Sequence, residues 1–332
     1  MSRIDVFVPC YNYGRFLRAS VRSILNQQGV DVRVLILDDA SADDSPEVGR
    51  ELAAEDSRVE YRRHETNRGH IATYNEGIDW ASGDYVLLLS ADDMLVQGAL
   101  ARAARVMNER PEVGLAYGFS FETDRPETAQ APIKDDYQVR IVPGPAFFEE
   151  SCRIGWNLIS PPTAVVRTSI QKRVGAYRKE LPHTGDMEMW MRISLFASLA
   201  CIDTYQAYYR QHGQNMHHGY KRIRDVQQSR AALDALFSEY PERIIDRERI
   251  HQLAYGNLAQ RAFWYAREAF DRGAAAECEE LLSLARDLDP TIRRWGPWQR
   301  LRLKRLLGQR GWRVLRPLVR WFRHSSKTGT NL

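Results

Sequence analysis

The apolar residues in the first 120 positions follow two alternating patterns. Short apolar runs have the length of strands buried on both faces, and they cover residues 4–8, 32–37, 59–62, 85–89 and 113–117. Between them, apolar residues recur at helical spacing, as in residues 16–25, 45–54, 71–81 and 96–108. This alternation predicts an α/β fold with a doubly wound, mostly parallel sheet.

The pattern changes after residue 121. Residues 122–143 are polar and contain prolines, which predicts a loop that could cover a site at the sheet edge. From residue 220 the chain becomes helical, and residues 258–290 have the spacing of one TPR-like helical hairpin. We expect three regions: an α/β domain over residues 1–219, a helical region over 220–290 and a basic amphipathic tail over 291–332. The helical region would pack on the domain or mediate a homo-oligomer.

Charge is distributed unevenly along the 332 residues, although the formal net charge is only +4. Residues 290–332 contain 12 Lys and Arg residues and no acidic residue, which leaves 35 basic against 43 acidic residues in the remainder. The acidic body disfavours a nucleic-acid partner, and the tail is expected to have an anionic partner of its own.

The tail from Arg293 to Phe322 places aromatic and aliphatic residues among arginines. Trp312 and Val319 fall on one helical face with Leu315 and Phe322, an arrangement typical of a helix lying on an anionic membrane surface. The alternative is a helix whose apolar face packs on the protein while its arginines face solvent.

Four scattered cysteines without CxxC spacing favour neither a zinc site nor disulfides. A strand begins almost at the N-terminus without a signal-peptide pattern, and no stretch approaches 20 apolar residues. We therefore expect a cytoplasmic protein that is attached peripherally to the inner face of the membrane.

Two adjacent carboxylates, Asp92 and Asp93, follow the apolar run of residues 85–89. Ligands of open α/β sheets bind at the carboxyl ends of the strands, and two neighbouring acids repel each other unless a cation offsets their charge. Carboxylate oxygens suit Mg²⁺ or Mn²⁺, which often bridge them to phosphates. The alternative is that the pair only caps the next helix.

The turn after the first apolar run contains Pro9, Tyr11 and Asn12 instead of a glycine-rich loop. Without GxGxxG it does not fit a nicotinamide or flavin dinucleotide. An aromatic ring and an amide suit a flat base, and Asp39 after the second run could accept a hydrogen bond from a base N–H. An ordinary turn with a helix cap is the alternative.

Gly185 and Asp186 precede an apolar helical stretch. An aspartate at a helix start is explained by capping alone, but it also holds a carboxylate in a fixed place.

Taken in order, residues 8–12, 37–45, 67–69, 75–77, 81–85 and 91–93 resemble the successive motifs of family 2 glycosyltransferases. That resemblance implies a GT-A type fold and inverting sugar transfer. It implies that Pro9, Tyr11 and Asp39 hold the nucleotide base, with Asn12, Asn67 and Gly69 nearby. Asp92 would contact the ribose or donor sugar.

The same resemblance implies that Asp93 carries a divalent metal, Mn²⁺ or Mg²⁺, and that Asp186 is the general base. His212, in a segment resembling the family's Tyr-Arg-x-His, would complete the metal site or contact the diphosphate. One departure is Ser90, where many members have an aspartate, so metal binding would depend on fewer protein oxygens.

Three residues are expected on the acceptor side. Trp156 would offer an aromatic face to a sugar, Glu188 is the second candidate for the base, and Trp190 would form a wall of the acceptor site.

The sequence thus predicts an inverting glycosyltransferase that moves a sugar from a nucleoside-diphosphate sugar, a UDP-sugar, to a saccharide or lipid-linked acceptor in cell-surface polysaccharide assembly. A nucleotidyltransferase of sugar phosphates is one alternative, although residues 11–14 lack the glycine-rich basic loop that binds triphosphate. A non-catalytic membrane-associated scaffold is the other.

Overall fold

The computed structural model describes residues 1–213, 215 and 222–308. The first strands and helices alternate as follows: β1 (Arg3–Cys10), α1 (Gly14–Leu25), β2 (Asp31–Asp38), α2 (Ser45–Glu55), β3 (Val59–Arg63), α3 (His70–Trp80) and β4 (Tyr85–Leu88). The four strands are parallel in the order β3-β2-β1-β4. Their carboxyl ends therefore meet at one edge of the sheet.

The remaining strands extend this sheet beyond β4. The elements are β5 (Met94–Leu95), α4 (Ala99–Glu109), β6 (Val113–Thr123), β7 (Val139–Val142), α5 (Gly144–Ile154), β8 (Val165–Arg167), α6 (Thr168–Val174), α7 (Gly185–Ser194) and β9 (Ser198–Arg210). The order continues β4-β8-β6-β9-β5, with β7 paired to β9. Strand β8 runs antiparallel to β4 and β6, whereas β6 and β9 are parallel. The α/β fold class is confirmed, as a mixed sheet.

The prediction of a loop over residues 122–143 is wrong at both ends of this range. Strand β6 continues to Thr123, and β7 pairs antiparallel with β9 between Val139 and Val142. Strand β7 is at most half-buried, so it lacks the apolar signature of an inner strand.

The two faces of β1 pack against different helices. Val6 and Val8 share a buried cluster with Leu17 of α1, whereas Phe7 belongs to a second cluster with Ile71 of α3. Side chains alternate across a strand, so a continuous apolar run is what helices on both faces require.

Two compact units divide the chain: residues 1–220 with 231–250, and residues 221–230 with 251–332. The C-terminal helices are α8 (Arg222–Glu239), α9 (Arg247–Arg272) and α10 (Ala275–Leu288), followed by a helix over residues 296–308. None of the described helices is long and apolar enough to cross a lipid bilayer.

Part of the basic tail lies within the second unit. The rings of Trp295 and Trp298 lie 5.2 and 5.8 Å from that of Phe263 on α9. Leu303 and Leu306, farther along, are exposed. Residues 309–322, which include the predicted apolar face of the tail, lie outside the described residues.

Asp5 cross-links the amino ends of the parallel strands. Its buried carboxylate accepts hydrogen bonds from the Arg33 guanidinium of β2 at 2.7 and 3.0 Å, and from the backbone N–H groups of Ser82 and Gly83 before β4. Burial alone would raise the pKa of Asp5, but these donors lower it below its ordinary value of 3.8.

We expect Asp5→Asn to lower the free energy of unfolding at pH 7 by roughly 2–3 kcal/mol, because it removes the charge that Arg33 pairs with. A depressed pKa contributes stability above the unfolded-state pKa that is lost as the pH falls through the folded-state pKa. The difference between variant and wild type, measured by urea unfolding, should therefore shrink as the pH falls below about 4. Asp31→Asn, at an exposed position, should change the free energy of unfolding by less than about 0.5 kcal/mol. Equal losses in both variants would contradict the stabilising role of the Asp5 carboxylate.

Candidate active site

A cleft of about 610 Å³ opens at the carboxyl ends of β1, β2 and β4. Four carboxylates from three separate parts of the chain line it: Asp39, Asp92, Asp93 and Asp186. Of the other residues singled out in the sequence, the structure also brings Pro9, Tyr11, Asn67 and Gly69 to this cleft. Tyr11 is half-exposed there, so its ring is accessible to a flat ligand.

Asp39, just after β2, is held by three donors. Its Oδ1 accepts from Arg68 N at 2.7 Å, and its Oδ2 accepts from Gly69 N at 2.8 Å. The buried His64 adds Nδ1 at 2.7 Å from Oδ1, and its Nε2 lies 3.0 Å from Glu76. The donors fix the carboxylate and leave Oδ2 capacity for one further hydrogen bond on the cleft side.

Asn12 is used within the fold and does not line the cleft. Its Oδ1 accepts from Ala42 N at 2.8 Å, and its N–H donates to Ser41 Oγ at 2.9 Å. Asn12 has φ of 58°, a left-handed conformation that asparagine tolerates. Its side-chain oxygen thus joins the tips of β1 and β2 instead of facing a nucleotide, which corrects the sequence prediction.

Gly14 allows these two tips to approach each other. A Cβ on Gly14 would lie 2.1 Å from Oδ1 of Asp44 and 2.6 Å from the backbone nitrogen of Ser45. Only glycine fits, and its N–H donates to Asp43 Oδ2 at 3.1 Å.

Asp92 and Asp93 are both buried, and Arg210 at the end of β9 holds the loop that carries them. The Arg210 N–H donates to Asp93 Oδ1 at 2.9 Å, and its Nε donates to the carbonyl of Asp92 at 2.8 Å. Burial and the charge of Asp92 raise the pKa of Asp93 well above its usual range, whereas Arg210 opposes the shift. A carboxylate in this state is stabilised by a cation.

His212 lies beside the same acids. Its Nε2 is 2.9 Å from Asp92 Oδ2, and its ring contacts the rings of Tyr13 and Phe16 at 5.4 and 5.3 Å. Among the described residues, no group of three or more acidic, His or Cys side chains is arranged to hold a metal ion. The donor set fits a hard cation that takes one or two protein oxygens, from Asp93 and Asp92, and fills its remaining positions with water and phosphate.

Asp186 lies in the first turn of α7 and lines the cleft. Burial raises the pKa of the Asp186 carboxyl, while a hydrogen bond from Tyr177 and the charge of His70 act to lower it. An aspartate with a raised pKa, accessible from a cleft, is suited to proton transfer.

The acceptor residues expected from the sequence lie elsewhere. Glu188 is fully buried and accepts hydrogen bonds from Arg178 at 3.0 Å and Arg192 at 2.8 Å, so it cannot act as a second base. Trp190 is in the core, and its Nε1 has no hydrogen-bond partner in the described part of the structure. Trp156 is 48% exposed and does not line the cleft, although its neighbour Asn157 does.

Sequence reasoning missed several residues of the cleft and its support. Three of these residues make contacts with residues that lie 25 or more positions away in the sequence. His64 contacts Asp39, Tyr177 contacts Asn75, and Arg210 contacts Asp92. The only local signal was the arginine of the Tyr-Arg-x-His segment at 209–212.

The comparisons with known proteins agree with this geometry. Residues 5–160 match the model of glycosyl transferase family 2. The GalNAc(5)-diNAcBac-PP-undecaprenol beta-1,3-glucosyltransferase of Campylobacter jejuni is 34% identical over 33% of this chain and 36% of its own length. Glycosyltransferase GlyG of Streptococcus pneumoniae is 30% identical over 32% of this chain and 36% of its own.

Solved structures share the fold over most of the chain. S. aureus TarS 1–349 in complex with UDP-GlcNAc superposes with a TM-score of 0.56 at 16% identity, over 88% of this chain and 92% of that one. The mannosyltransferase PcManGT of Pyrobaculum calidifontis, in complex with GDP-Man and Mn²⁺, gives 0.55 at 18% identity, over 90% and 83%.

The matched part spans between 36% and 67% of the length of the first curated relatives. Within that part, the family match, the fold and the cleft at the carboxyl ends of the parallel strands agree. Residues 5–160 are therefore similar to glycosyl transferase family 2, and the chain has a fold of the GT-A type.

Proposed function

We propose that this chain transfers a sugar from a nucleoside-diphosphate sugar, a UDP-sugar, to a hydroxyl of a saccharide or lipid-linked acceptor, with inversion at the anomeric carbon. The observation that carries the proposal is the convergence of Asp39, Asp92, Asp93 and Asp186 on one cleft. Acids that are far apart in sequence and meet in one cleft, in different electrostatic states, can divide binding and proton transfer between them.

The donor nucleotide would occupy the β1–β2 side. Tyr11 offers an aromatic face, and Asp39, fixed by Arg68 N and Gly69 N, offers an acceptor for a base N–H. Asp92 would contact the ribose or the sugar. This arrangement fits a pyrimidine base with an N–H donor, which is why a UDP-sugar is preferred.

Asp93, with Asp92, would hold Mn²⁺ or Mg²⁺, and His212 adjoins them through Asp92. When bound, such an ion offsets the negative charge that builds on a departing diphosphate. The raised pKa of Asp93 supports this use, because a buried carboxylate that repels its neighbour gains from a nearby cation.

Asp186 would act as the general base. The acceptor oxygen forms a bond to the anomeric carbon and its proton passes to Asp186, while the bond from that carbon to the diphosphate breaks and the nucleoside diphosphate leaves. Attack on the face opposite the leaving group inverts the configuration, and the cleft aligns the reactants.

We further propose a class of acceptor and an attachment of the enzyme to the membrane. The C. jejuni relative is named for a PP-undecaprenol saccharide, which supports a lipid-linked acceptor for this chain in polysaccharide assembly. A basic tail at the cytoplasmic face of a membrane would bring the enzyme to such an acceptor. Oligomerisation through the helical region stays a prediction.

Asp186→Asn tests the base. UDP binding with Mn²⁺, measured by calorimetry, should be unchanged, because Asp186 is not among the residues proposed to hold the nucleotide or the metal. Release of UDP from UDP-GlcNAc, with water as acceptor, should fall about 10²–10⁴-fold, the usual share of general-base catalysis. The exposed Asp124→Asn is the matched control and should keep the wild-type rate. A fully active Asp186→Asn would rule out the base assignment.

Asp93→Asn tests the cation site. In the wild type, Mn²⁺ should strengthen UDP binding. With Mn²⁺ present, the variant should bind UDP roughly tenfold or more weakly than the wild type, and without Mn²⁺ the two proteins should bind UDP equally. Its unfolding temperature without metal should not fall, since the neutral amide removes a buried like-charge repulsion. Equal Mn²⁺ dependence in Asp93→Asn and Asp124→Asn would contradict the site.

The tail is tested on vesicles that contain anionic phosphatidylglycerol. Residues 309–332 hold six Lys and Arg residues and no acid, and each such residue near an anionic surface contributes about 1 kcal/mol. The full chain should sediment with these vesicles and be released by salt, whereas a chain ending at residue 308 should stay in solution. If the full chain does not sediment with the vesicles, the membrane role is removed; if both chains sediment equally, residues 309–332 are not needed for it.

A further inference from the structure

The segment of residues 175–178, between α6 and α7, is hydrogen-bonded to α3 through the side chain of Asn75. Asn75 Nδ2 donates to the carbonyl oxygen of Tyr177 at 2.9 Å, and Asn75 Oδ1 accepts from the Tyr177 N–H at 2.7 Å. One amide thus satisfies both backbone groups of Tyr177, as a neighbouring strand would. The backbone of this residue has little freedom to shift.

The same segment is held from α7. Arg192 donates to the carbonyl oxygens of Val174 at 2.7 Å and Ala176 at 2.9 Å. Arg178 donates to Glu188 at 3.0 Å and pairs with both carboxylate oxygens of Glu239 at 2.7 and 2.8 Å. Buried charged groups that are held by several hydrogen bonds are costly to rearrange, so these contacts restrict movement of the segment.

The Tyr177 ring is enclosed by neighbours from both helices. It is 6% exposed and meets the ring of Tyr74 edge-on at 5.4 Å. A Cβ on Gly185 would lie 3.2 Å from Cδ1 of the ring, so the first turn of α7 is in close contact with it. From this position Tyr177 lines the cleft together with Asp186, which follows Gly185 in the first turn of α7.

We propose that Tyr177, clamped by Asn75, is a positioning residue whose hydroxyl donates a hydrogen bond to the Asp186 carboxylate and aims it into the cleft. The proposal rests on the proposed role of Asp186 as the general base. Neither Asn75 nor Tyr177 takes a proton from the acceptor; they act through Asp186.

The electrostatics around Asp186 agree with this role. Burial raises the pKa of Asp186, and the two opposing groups are the Tyr177 hydroxyl and His70 of α3, whose Nε2 lies 2.9 Å from the carbonyl oxygen of Pro182. The pKa of Tyr177 itself is raised well above 10 by burial and by the charge of Asp186, with Tyr74 adding to the rise and Arg192 opposing it. The phenol therefore stays protonated and remains a donor.

Tyr177→Phe removes the hydroxyl and keeps the ring. Without the hydrogen bond the pKa of Asp186 rises further. The acid limb of the pH–rate profile for UDP release from UDP-GlcNAc should therefore move to higher pH. The KM for the donor should be unchanged, because the nucleotide is bound at β1 and β2. The matched control is Tyr205→Phe on β9, which removes a phenol outside the cleft and should leave the profile in place.

A second measurement follows Asp186 directly. The ¹³Cγ resonance of Asp186 in aspartate-labelled protein, assigned with Asp186→Asn, should titrate at higher pH in Tyr177→Phe than in wild type. If neither this titration nor the acid limb moves, the proposal is overturned. If the titration moves while Asp186→Asn retains full activity, the pairing of Tyr177 with Asp186 stands and the proposed base fails.

The role of Asn75 is tested by a double-mutant cycle. Asn75→Ala should move the acid limb in the same direction as Tyr177→Phe, and it should have no further effect on that limb in the Tyr177→Phe background. Should Asn75→Ala fail to fold, Asn75→Asp, which keeps the acceptor for the Tyr177 N–H, takes its place in the cycle. Additive shifts would show that Asn75 acts independently of Tyr177 and would overturn the clamp.

Discussion

The acidic loop after β4 depends on one residue at the end of β9. Arg210 is almost completely buried, and its backbone N–H donates to Asp93. Its guanidinium donates to the carbonyl of Asp92 and to Glu127. Its guanidinium also lies over the Phe16 ring at 4.3 Å. A planar cation with five donors can satisfy several partners at once, which lysine could not do. Because β6 and β9 carry this cation to the tip of β4, the second half of the sheet completes a cleft that the first half begins.

The cleft carboxylates differ in how far the protein satisfies them, and this difference gives them separate uses. Asp39 has backbone donors on both oxygens, so it is fixed and suited to recognition. Asp93 is buried beside a like charge, so it is suited to a cation. Asp186 stands between these cases, since burial disfavours its charge while Tyr177 favours it. The same functional group thus lies in three different electrostatic environments, which supports the separate roles proposed for these aspartates in binding, cation retention and proton transfer.

The sequence predicts an element best where its pattern of apolar residues matches the burial of that element in the folded protein. The parallel strands β1, β2 and β4 are buried on both faces, so their apolar runs are continuous and end at a clear boundary. The edge strand β7 and the two-residue β5 have no such pattern. Motifs contain Asp39, Asp92, Asp93 and Asp186, and the structure brings these four residues to one cleft. Glu188 was misplaced because a helix start shows two acids and does not show which one faces the core.

The sequence by itself therefore determined the fold class, the family resemblance and the acids that meet at the strand ends, because period-two and helical spacing and short motifs are local properties of a chain. Only the tertiary structure decided that Asn12 joins two turns, that Glu188 is neutralised by two arginines, and that Tyr177 and Arg210 support Asp186 and Asp93. These roles depend on distance and burial between residues remote in sequence. A single sequence states composition and order, but the contacts that set a charge state arise only when the chain has folded.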